Sequence, residues 1–187
     1  DFALQSQLDA TLGSIVDAIG ALQFLSVVRL DLDAPMGSAA EAGRVNRDWL
    51  LPVLRVHMHD APLALFVSEF LPVAGKLATL SEKSKAEGRV VEAKNEWHRH
   101  IQIWEMFPAF CRTPDTVATE FKKIAQTLGT RVKEPDFRNA VCSGLETLVA
   151  SCKRAEIAAD STEEIKKQAK DALAVMSTYS KNFLPCL

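Results

Sequence analysis

The sequence predicts an all-α fold, and three observations support this prediction. Apolar residues recur every three or four positions along most of the chain, which is the period of an amphipathic helix. No stretch has a strong strand pattern of alternating apolar and polar residues. Prolines recur inside apolar stretches at Pro52, Pro72, Pro108 and Pro185. Because a proline inside a helix removes a backbone donor and bends the helix, this recurrence indicates antiparallel helix pairs kinked at proline, as in an α-solenoid of HEAT type.

The first half of the chain is predicted to contain a helix, an ambiguous segment, a loop and two further helices. The first helix is expected to end near Gly20, and residues 22–32 could be either a helical turn or a buried extended run. Residues 33–45 have no apolar period, which predicts a mobile surface connection. Asn46 can cap the following helix. Pro62 suits the first turn of a long helix that is expected to kink at Pro72 and to dissolve into residues 81–88.

The second half is predicted to contain four more helices. One runs from about residue 89 to 107, with an aromatic inner face made of Trp97, Ile101, Trp104 and Phe107. The next is expected to start at Thr113 and Pro114 and to end at Gly129. Pro135 opens another, and a capping box over residues 161–164 starts the last. Four large side chains are expected to be largely buried: Trp49, Phe70, Trp104 and Phe107.

Length and charge limit the function classes. The chain has 187 residues, of which 48% are hydrophobic, and a formal net charge of -2, so it lacks a global attraction to nucleic acid or to an acidic membrane. Any contact with phosphate must therefore come from local basic clusters. No secretory leader or membrane span is predicted. Both ends of the chain are apolar, so we expect residues 1–187 to be a single segment of a longer solenoid.

No catalytic or metal-binding motif is present in the sequence. Nucleotide-binding glycine loops, the nucleophile elbow and the zinc-protease motif are all absent. The histidine pairs 57/59 and 98/100 are two residues apart, which on a helix separates them by about 200°, so neither pair can chelate one metal. Cysteines 111, 142, 152 and 186 lack a Cys-x-x-Cys spacing and are interpreted as reduced core residues of an intracellular protein, with a disulfide or zinc site as the alternative. We therefore expect no enzyme activity, cofactor or small-molecule substrate.

Basic residues near two helix junctions are the candidate site. The first basic group consists of Lys83, Lys85, Arg89, Lys94 and Arg99, and the second basic group consists of Lys122, Lys123, Arg131 and Lys133. Glutamates are interleaved with both, so a solvated face is one interpretation and contact with RNA phosphates is the other. Trp97 and Trp104 could stack on bases, although their shared helical stripe favours core packing.

Four blocks of sequence carry a family resemblance. Residues 49–55, 70–74, 102–111 and 181–185 read WLLPVLR, FLPVA, QIWEMFPAFC and KNFLP, and in order and spacing they resemble successive blocks of the ribosomal RNA-processing protein 12 family. The resemblance covers residues 15–187. It implies a non-catalytic HEAT-repeat assembly factor of the nucleus and nucleolus, which shuttles to the cytoplasm and acts in small-subunit assembly and export of both subunits. The implied partners are pre-ribosomal proteins, pre-rRNA and nuclear transport factors. A karyopherin-like transport adaptor is the alternative.

Overall fold

Every regular element in the described part of the chain is helical. A computed structural model describes residues 2–34 and 44–183. Its α-helices are α1 (Phe2–Ile19), α2 (Ala21–Val27), α3 (Leu51–His57), α4 (Leu63–Leu65), α5 (Leu71–Ala86), α6 (Val90–Glu105), α7 (Val117–Arg131), α8 (Pro135–Ile157) and α9 (Glu163–Phe183). Two 3-10 helices, Asp48–Leu50 and Phe107–Cys111, and a π-helical turn, Phe66–Phe70, complete the described elements. The all-α prediction is confirmed.

The chain forms two compact units. The first unit consists of Asp1–Met58 and Phe70–Met106, and the second unit consists of His59–Glu69 and Phe107–Leu187. The first unit thus contains α1, α2, α3, α5 and α6, and the second contains α4, α7, α8 and α9. That residues 1–187 belong to one longer solenoid stays a prediction.

An antiparallel hairpin of α5 and α6 dominates the first unit. The connection is only three residues long and turns at Gly88, whose φ of 75° is a left-handed conformation that glycine adopts without strain. Ser81 Oγ donates to the Ala93 carbonyl at 2.8 Å, and His100 Nδ1 lies 2.6 Å from the Ala74 carbonyl. Since a carbonyl oxygen only accepts, Nδ1 carries the proton. The two contacts are seven residues apart on each helix and fix the register of the hairpin.

The α1–α2–α3 part of the first unit depends on two glycines. Gly20, with φ 81°, follows α1, and the axes of α1 and α2 meet at 115° there. The prediction that α1 ends near Gly20 is confirmed. The His57 ring packs against the bare backbone of Gly13, and its Nδ1 lies 2.8 Å from Asp17 Oδ2, so α3 lies close along α1.

The second unit is built around phenylalanine rings. Phe66 packs against Phe107 and Phe110, with ring centroids 5.3 Å apart in both pairs. Phe121 of α7 meets the α9 rings of Tyr179 and Phe183 at 6.0 Å and 6.4 Å. These contacts join the helical segments of the second unit through aromatic side chains.

The prolines lie where helix type changes. Pro52 lies in the first turn of α3, directly after a 3-10 turn, and Pro72 lies in the first turn of α5, directly after the π-helical turn. Pro108 lies within the 3-10 helix Phe107–Cys111. The missing proline donor therefore falls where regular α-helical bonding is already interrupted. Placement within or at the ends of helices is confirmed for these three, and Pro185 lies outside the described residues.

Three predicted helix boundaries are wrong. Residues 81–86 are the last turns of α5 and not a polar loop, because the small side chains of Ser81 and Ser84 are buried. Helix α7 begins at Val117 and not at Thr113, because Thr116, the residue before its first turn, has a left-handed backbone conformation (φ 60°). At its other end α7 continues past Gly129 to Arg131. The segment 22–32, left open by the sequence, forms the short helix α2 followed by a turn.

The N-terminus of α9 differs from the predicted capping box by one residue. Thr162, not Ser161, supplies the cap, because its Oγ1 accepts a hydrogen bond from the Ile165 backbone at 3.3 Å. Glu164 instead accepts a bond from Gln168.

Burial confirms three of the four large predicted core side chains. Phe70, Trp104 and Phe107 are buried, whereas Trp49 is 43% exposed. Trp49 lies in the 3-10 turn before α3, where Leu50 and Leu51 take the inner positions. On α6 the inner residues are Ala93, Arg99, His100, Ile103 and Trp104, while Trp97 and Ile101 are only half-buried.

Among the described residues, one helical run has the length and composition of a membrane span, and the bent pair of α1 and α2 would be a second if it formed a single span. This run is Leu63–Ala86, which has 24 residues and a mean hydropathy of 1.5 over its most apolar part, and 28% of that part is buried inside the protein. Core helices of soluble proteins have the same property, and the buried residues of this run include Phe66, Phe70, Ala74 and Leu77. We therefore do not assign this run to a membrane.

Candidate nucleic-acid interface

Arg99 is a structural residue and not a surface cation. Its side chain is buried, and Nη1 donates to the carbonyl oxygens of Leu32 at 2.8 Å and Ala34 at 3.1 Å. Asn46 Nδ2 donates to the same two oxygens at 3.1 Å and 3.0 Å. Burial lowers the pKa of Arg99, and the nearby carboxylates of Asp48 and others oppose this effect. Nη1 and Nε of Arg99 are therefore occupied by carbonyl oxygens inside the first unit, which makes Arg99 a weaker candidate for phosphate contact than the exposed lysines, and its predicted contact with phosphate stays a prediction.

Arg89 is exposed but engaged by neighbouring carboxylates. Its Nη1 donates to Glu92 Oε2 at 2.7 Å, and its Nε donates to Glu87 Oε2 at 3.0 Å. These hydrogen bonds raise the pKa of Arg89 and lower that of Glu87. A phosphate would have to replace both carboxylates, so Arg89 is a weaker candidate for RNA contact than its lysine neighbours.

Lys83, Lys85 and Lys94 are exposed, but they do not share one face. Lys83 and Lys85 are two residues apart on α5, which separates their directions by about 200° around the helix axis. Within the described residues no ion pair involves Lys85 or Lys94, whereas Glu87 attracts Lys83. Lys85 and Lys94 are therefore the least neutralised cations of the first basic group.

Lys85 and Lys94 both line a groove on the α5–α6 hairpin. The groove has a volume of about 560 Å³. Its lining residues are Ser81, Glu82, Lys85, Val90, Ala93, Lys94, Trp97, His98 and Ile101. Lys94, Trp97, His98 and Ile101 recur at three- and four-residue steps of α6, which places them along one side of the helix. We call this feature the α5–α6 groove.

The two tryptophans of α6 have different environments. Trp104 is 1% exposed, so it belongs to the core and is closed to a base. Trp97 is half-buried in the wall of the α5–α6 groove, and its ring stacks on His100 with centroids 5.2 Å apart and an interplanar angle of 19°. Sequence reasoning assigned both residues to one buried stripe. Lys94, three positions before Trp97, was the signal in the sequence that this side of α6 is not part of the buried stripe.

The second basic group does not form one patch. Lys122 and Lys123 lie in the second turn of α7, and Lys122 is nine residues, or about 14 Å of helix, from Arg131. Lys123 pairs with Glu120 at 2.7 Å. Arg131 pairs with Glu134 at 2.8 Å and lies 4.8 Å from the centre of the Phe137 ring. Lys122 and Lys133 are exposed.

Within the described part of the chain, no cluster of metal ligands accompanies the basic residues, and two of the cysteine thiols are buried. Among the described residues, no three His, Cys, Asp or Glu side chains gather closely enough to hold a metal ion. Cys111 and Cys152 are free, buried thiols, and burial raises the pKa of Cys111 well above its usual value and that of Cys152 to about 11. Both thiols therefore stay protonated near neutral pH. The core interpretation is confirmed for these two, Cys142 is free and half-buried, and Cys186 lies outside the described residues.

The described residues define an α-helical repeat segment with a basic groove on one hairpin. This is the class of HEAT-repeat proteins, in which stacked helix pairs present surfaces for binding. The family model described as "Ribosomal RNA-processing protein 12, HEAT repeats" matches residues 1–187. The chain therefore belongs to the ribosomal RNA-processing protein 12 family, as the sequence blocks indicated.

Individual relatives agree with the family assignment. The chain is 35% identical over 187 residues to a human RRP12-like protein and 32% identical over 192 residues to a chicken RRP12-like protein. Both alignments cover 100% of this chain and 13% of the relative. A fission yeast protein named "Putative ribosomal RNA-processing protein 12" is 28% identical over 96% of this chain and 16% of its own length. The chain thus spans between 12% and 16% of the length of the curated relatives it matches.

Proposed function

We propose that this chain is a non-catalytic HEAT-repeat scaffold segment that acts in ribosome biogenesis. Its role is to bind pre-ribosomal particles during pre-rRNA processing, small-subunit assembly and nuclear export. The family match over the whole chain supports this proposal, because the relatives are named for ribosomal RNA processing. The proposed location is the nucleus and nucleolus, with shuttling to the cytoplasm, and the proposed partners are pre-ribosomal proteins, pre-rRNA and nuclear transport factors.

The single observation that carries RNA binding is the exposure of Lys85 and Lys94 in one groove. Neither lysine forms an ion pair within the described residues, so a phosphate would not have to displace a carboxylate. Lys83 adds a third exposed cation on another face of α5. Contacts of lysine with phosphate carry no base sequence information and release counterions, so binding weakens steeply with salt.

The experiment measures RNA binding by the 187-residue chain at several salt concentrations. Replacing Lys83, Lys85 and Lys94 together by Ala is expected to weaken binding and to flatten the salt dependence by up to about three phosphate contacts. The matched control replaces the exposed α9 residues Lys167, Lys170 and Lys181 by Ala, which removes the same charge from the second unit. If both variants weaken RNA binding equally, the first basic group acts only through general electrostatic attraction and makes no specific phosphate contact.

Association with particles is tested in cells. A tagged chain is expected to co-sediment with pre-ribosomal particles, and the Lys83/Lys85/Lys94 variant is expected to co-sediment less. If the wild-type chain sediments only as free protein, the scaffold proposal is wrong for this segment. The transport-adaptor alternative has no observation in its favour among the described residues.

A further inference from the structure

We propose that the α5–α6 groove binds an unpaired nucleotide of RNA, with its base against the Trp97 indole and adjoining phosphates on Lys85 and Lys94. This inference rests on the proposed function, because it assumes that the chain contacts RNA. It adds a class of ligand: a single-stranded or bulged nucleotide, as distinct from the regular backbone of a duplex.

A fixed ring stack supports the base position. The His100 ring is buried, and its Nδ1 donates to the Ala74 carbonyl at 2.6 Å, which holds the imidazole in one orientation. Trp97 stacks on this imidazole at a near-parallel angle of 19°. The indole that enters the groove wall is therefore held in place before any ligand binds, and a preorganised surface loses little side-chain entropy on binding. Nucleobases of any sequence can stack on such a surface.

The charges around Trp97 suit a sugar-phosphate backbone. Lys94 lies one turn before Trp97 on α6, and Lys85 lines the same groove from α5. Glu82 is the carboxylate among the lining residues, so the two lysines leave the groove with net positive charge. The Ser81 hydroxyl is already occupied by the Ala93 carbonyl, so it adds no competing donor. Proteins that bind single-stranded nucleic acid combine basic residues with an aromatic surface in this way.

RNA fits these observations better than an acidic peptide does. A peptide without aromatic side chains would use the lysines and the aliphatic residues Val90 and Ile101, but it would gain nothing from the flat ring of Trp97. The volume of about 560 Å³ also admits a nucleotide with part of its neighbours. A peptide remains an outcome of the experiment below.

The test compares three fluorescently labelled RNAs of equal length: a uridine decamer, the same decamer with abasic sites, and a duplex. The protein is the 187-residue chain carrying Trp49→Phe, so that the half-buried Trp97 is the more accessible emitter beside the buried Trp104. The uridine decamer is expected to quench tryptophan emission. Its affinity is expected to exceed that of the abasic decamer by about 5- to 150-fold, the range measured for stacking of one base.

Two substitutions separate stacking from folding. Trp97→Leu keeps an apolar side chain without the aromatic ring, and it is expected to weaken binding of the uridine decamer while leaving the abasic decamer unchanged. Trp97→Phe keeps a ring and is expected to restore most of the affinity. The matched control places Leu instead of Phe at position 49, which lies outside the groove, and it is expected to change neither affinity. Circular dichroism melts of each variant verify the fold.

The outcomes are distinct. Equal affinity for the uridine and abasic decamers, with loss of both on Lys85→Ala and Lys94→Ala, overturns the nucleotide site and leaves phosphate binding intact. Absence of binding to all three RNAs overturns both proposals. Quenching by an acidic apolar peptide in place of RNA would make the groove a protein-binding site and would also overturn the inference.

Discussion

The ring of Phe107 packs directly on the backbone of Gly144, so closely that a Cβ built at Gly144 would lie 2.2 Å from Phe107 Cδ1. Gly144 lies in the middle of α8, where glycine costs about 1 kcal/mol relative to alanine. The second unit accepts this cost because only glycine lets α8 approach the 3-10 helix that carries Phe107.

Gly144→Ala is expected to destabilise the chain by about 1 to 3 kcal/mol, because the new methyl group must displace a fully buried ring. Gly75→Ala is the matched control, since it lies inside α5 and a Cβ there meets nothing within 4 Å. That variant is expected to stabilise the chain by about 0.4 to 1 kcal/mol. Urea unfolding of both variants measures the difference, and equal shifts in the same direction would contradict the contact.

Phe70→Ala is expected to cost about 3 to 5 kcal/mol in the free energy of unfolding, because the ring is buried in the first unit. A loss of that size is enough to unfold a chain of marginal stability. Leu80→Ala, at a more exposed position in the following helix α5, is expected to cost under about 1 kcal/mol. Thermal melts are the measurement, and a change below about 1 kcal/mol for Phe70→Ala would refute its place in the core.

Arg99→Leu is expected to reduce stability by about 1.5 to 3 kcal/mol, because it removes charged hydrogen bonds to the carbonyls of Leu32 and Ala34. The salt dependence of RNA binding is expected to stay unchanged. Asn46→Ala reports on the same two carbonyls without a change of charge. If Arg99→Leu flattened the salt slope with no loss of stability, Arg99 would be a phosphate contact after all.

Stability is expected to fall as pH rises from about 9 to about 11. Burial raises the pKa of the Cys152 thiol to about 11 from a usual value of 9.0. Between these values the unfolded chain loses the thiol proton while the folded chain keeps it, so unfolding is favoured as pH rises. The stabilising effect is fully present below pH 9. Denaturant titrations across this range should show a flatter pH dependence for Cys152→Ala than for the half-buried control Cys142→Ala.

The outer stripe of α1 is expected to drive self-association of the isolated chain. Leu4, Leu8, Ile15 and Ile19 are all exposed and recur at helical spacing, while α1 packs on α2 and α3. Replacing Leu8 and Ile15 by Gln is expected to shift the chain toward monomer in sedimentation experiments. A wild-type chain that is already monomeric and melts sharply would show that this stripe is tolerated in water.

Much of the helical framework follows from local sequence signals. Pro135 at the first position of α8 and the glycine after α1 could be recognised because caps and breakers act within one turn. The residues that determine the candidate site could not be recognised from such local signals. Arg99 bonds to carbonyls 65 and 67 residues away, and His100 bonds to one 26 residues away, so both polar residues read as surface in the sequence.

The misassignment of α6 had the same origin. Its inner face contains the polar residues Arg99 and His100. Because the prediction relied on the period of apolar residues, it placed Trp97 and Ile101 on the inner face instead. Only the packing of α5 reveals that those two residues border a groove. The interleaved glutamates were visible in the sequence, and Arg89 and Arg131 each pair with the glutamate three residues further along the chain.

The two side-chain bonds of the α5–α6 hairpin have a mechanical consequence. Ser81 and His100 hold the helices at points two turns apart, so sliding one helix along the other breaks both bonds together. Under tension or bending the hairpin should move as a stiff element. The wall that holds Trp97, Lys85 and Lys94 would then keep its dimensions when the hairpin is loaded.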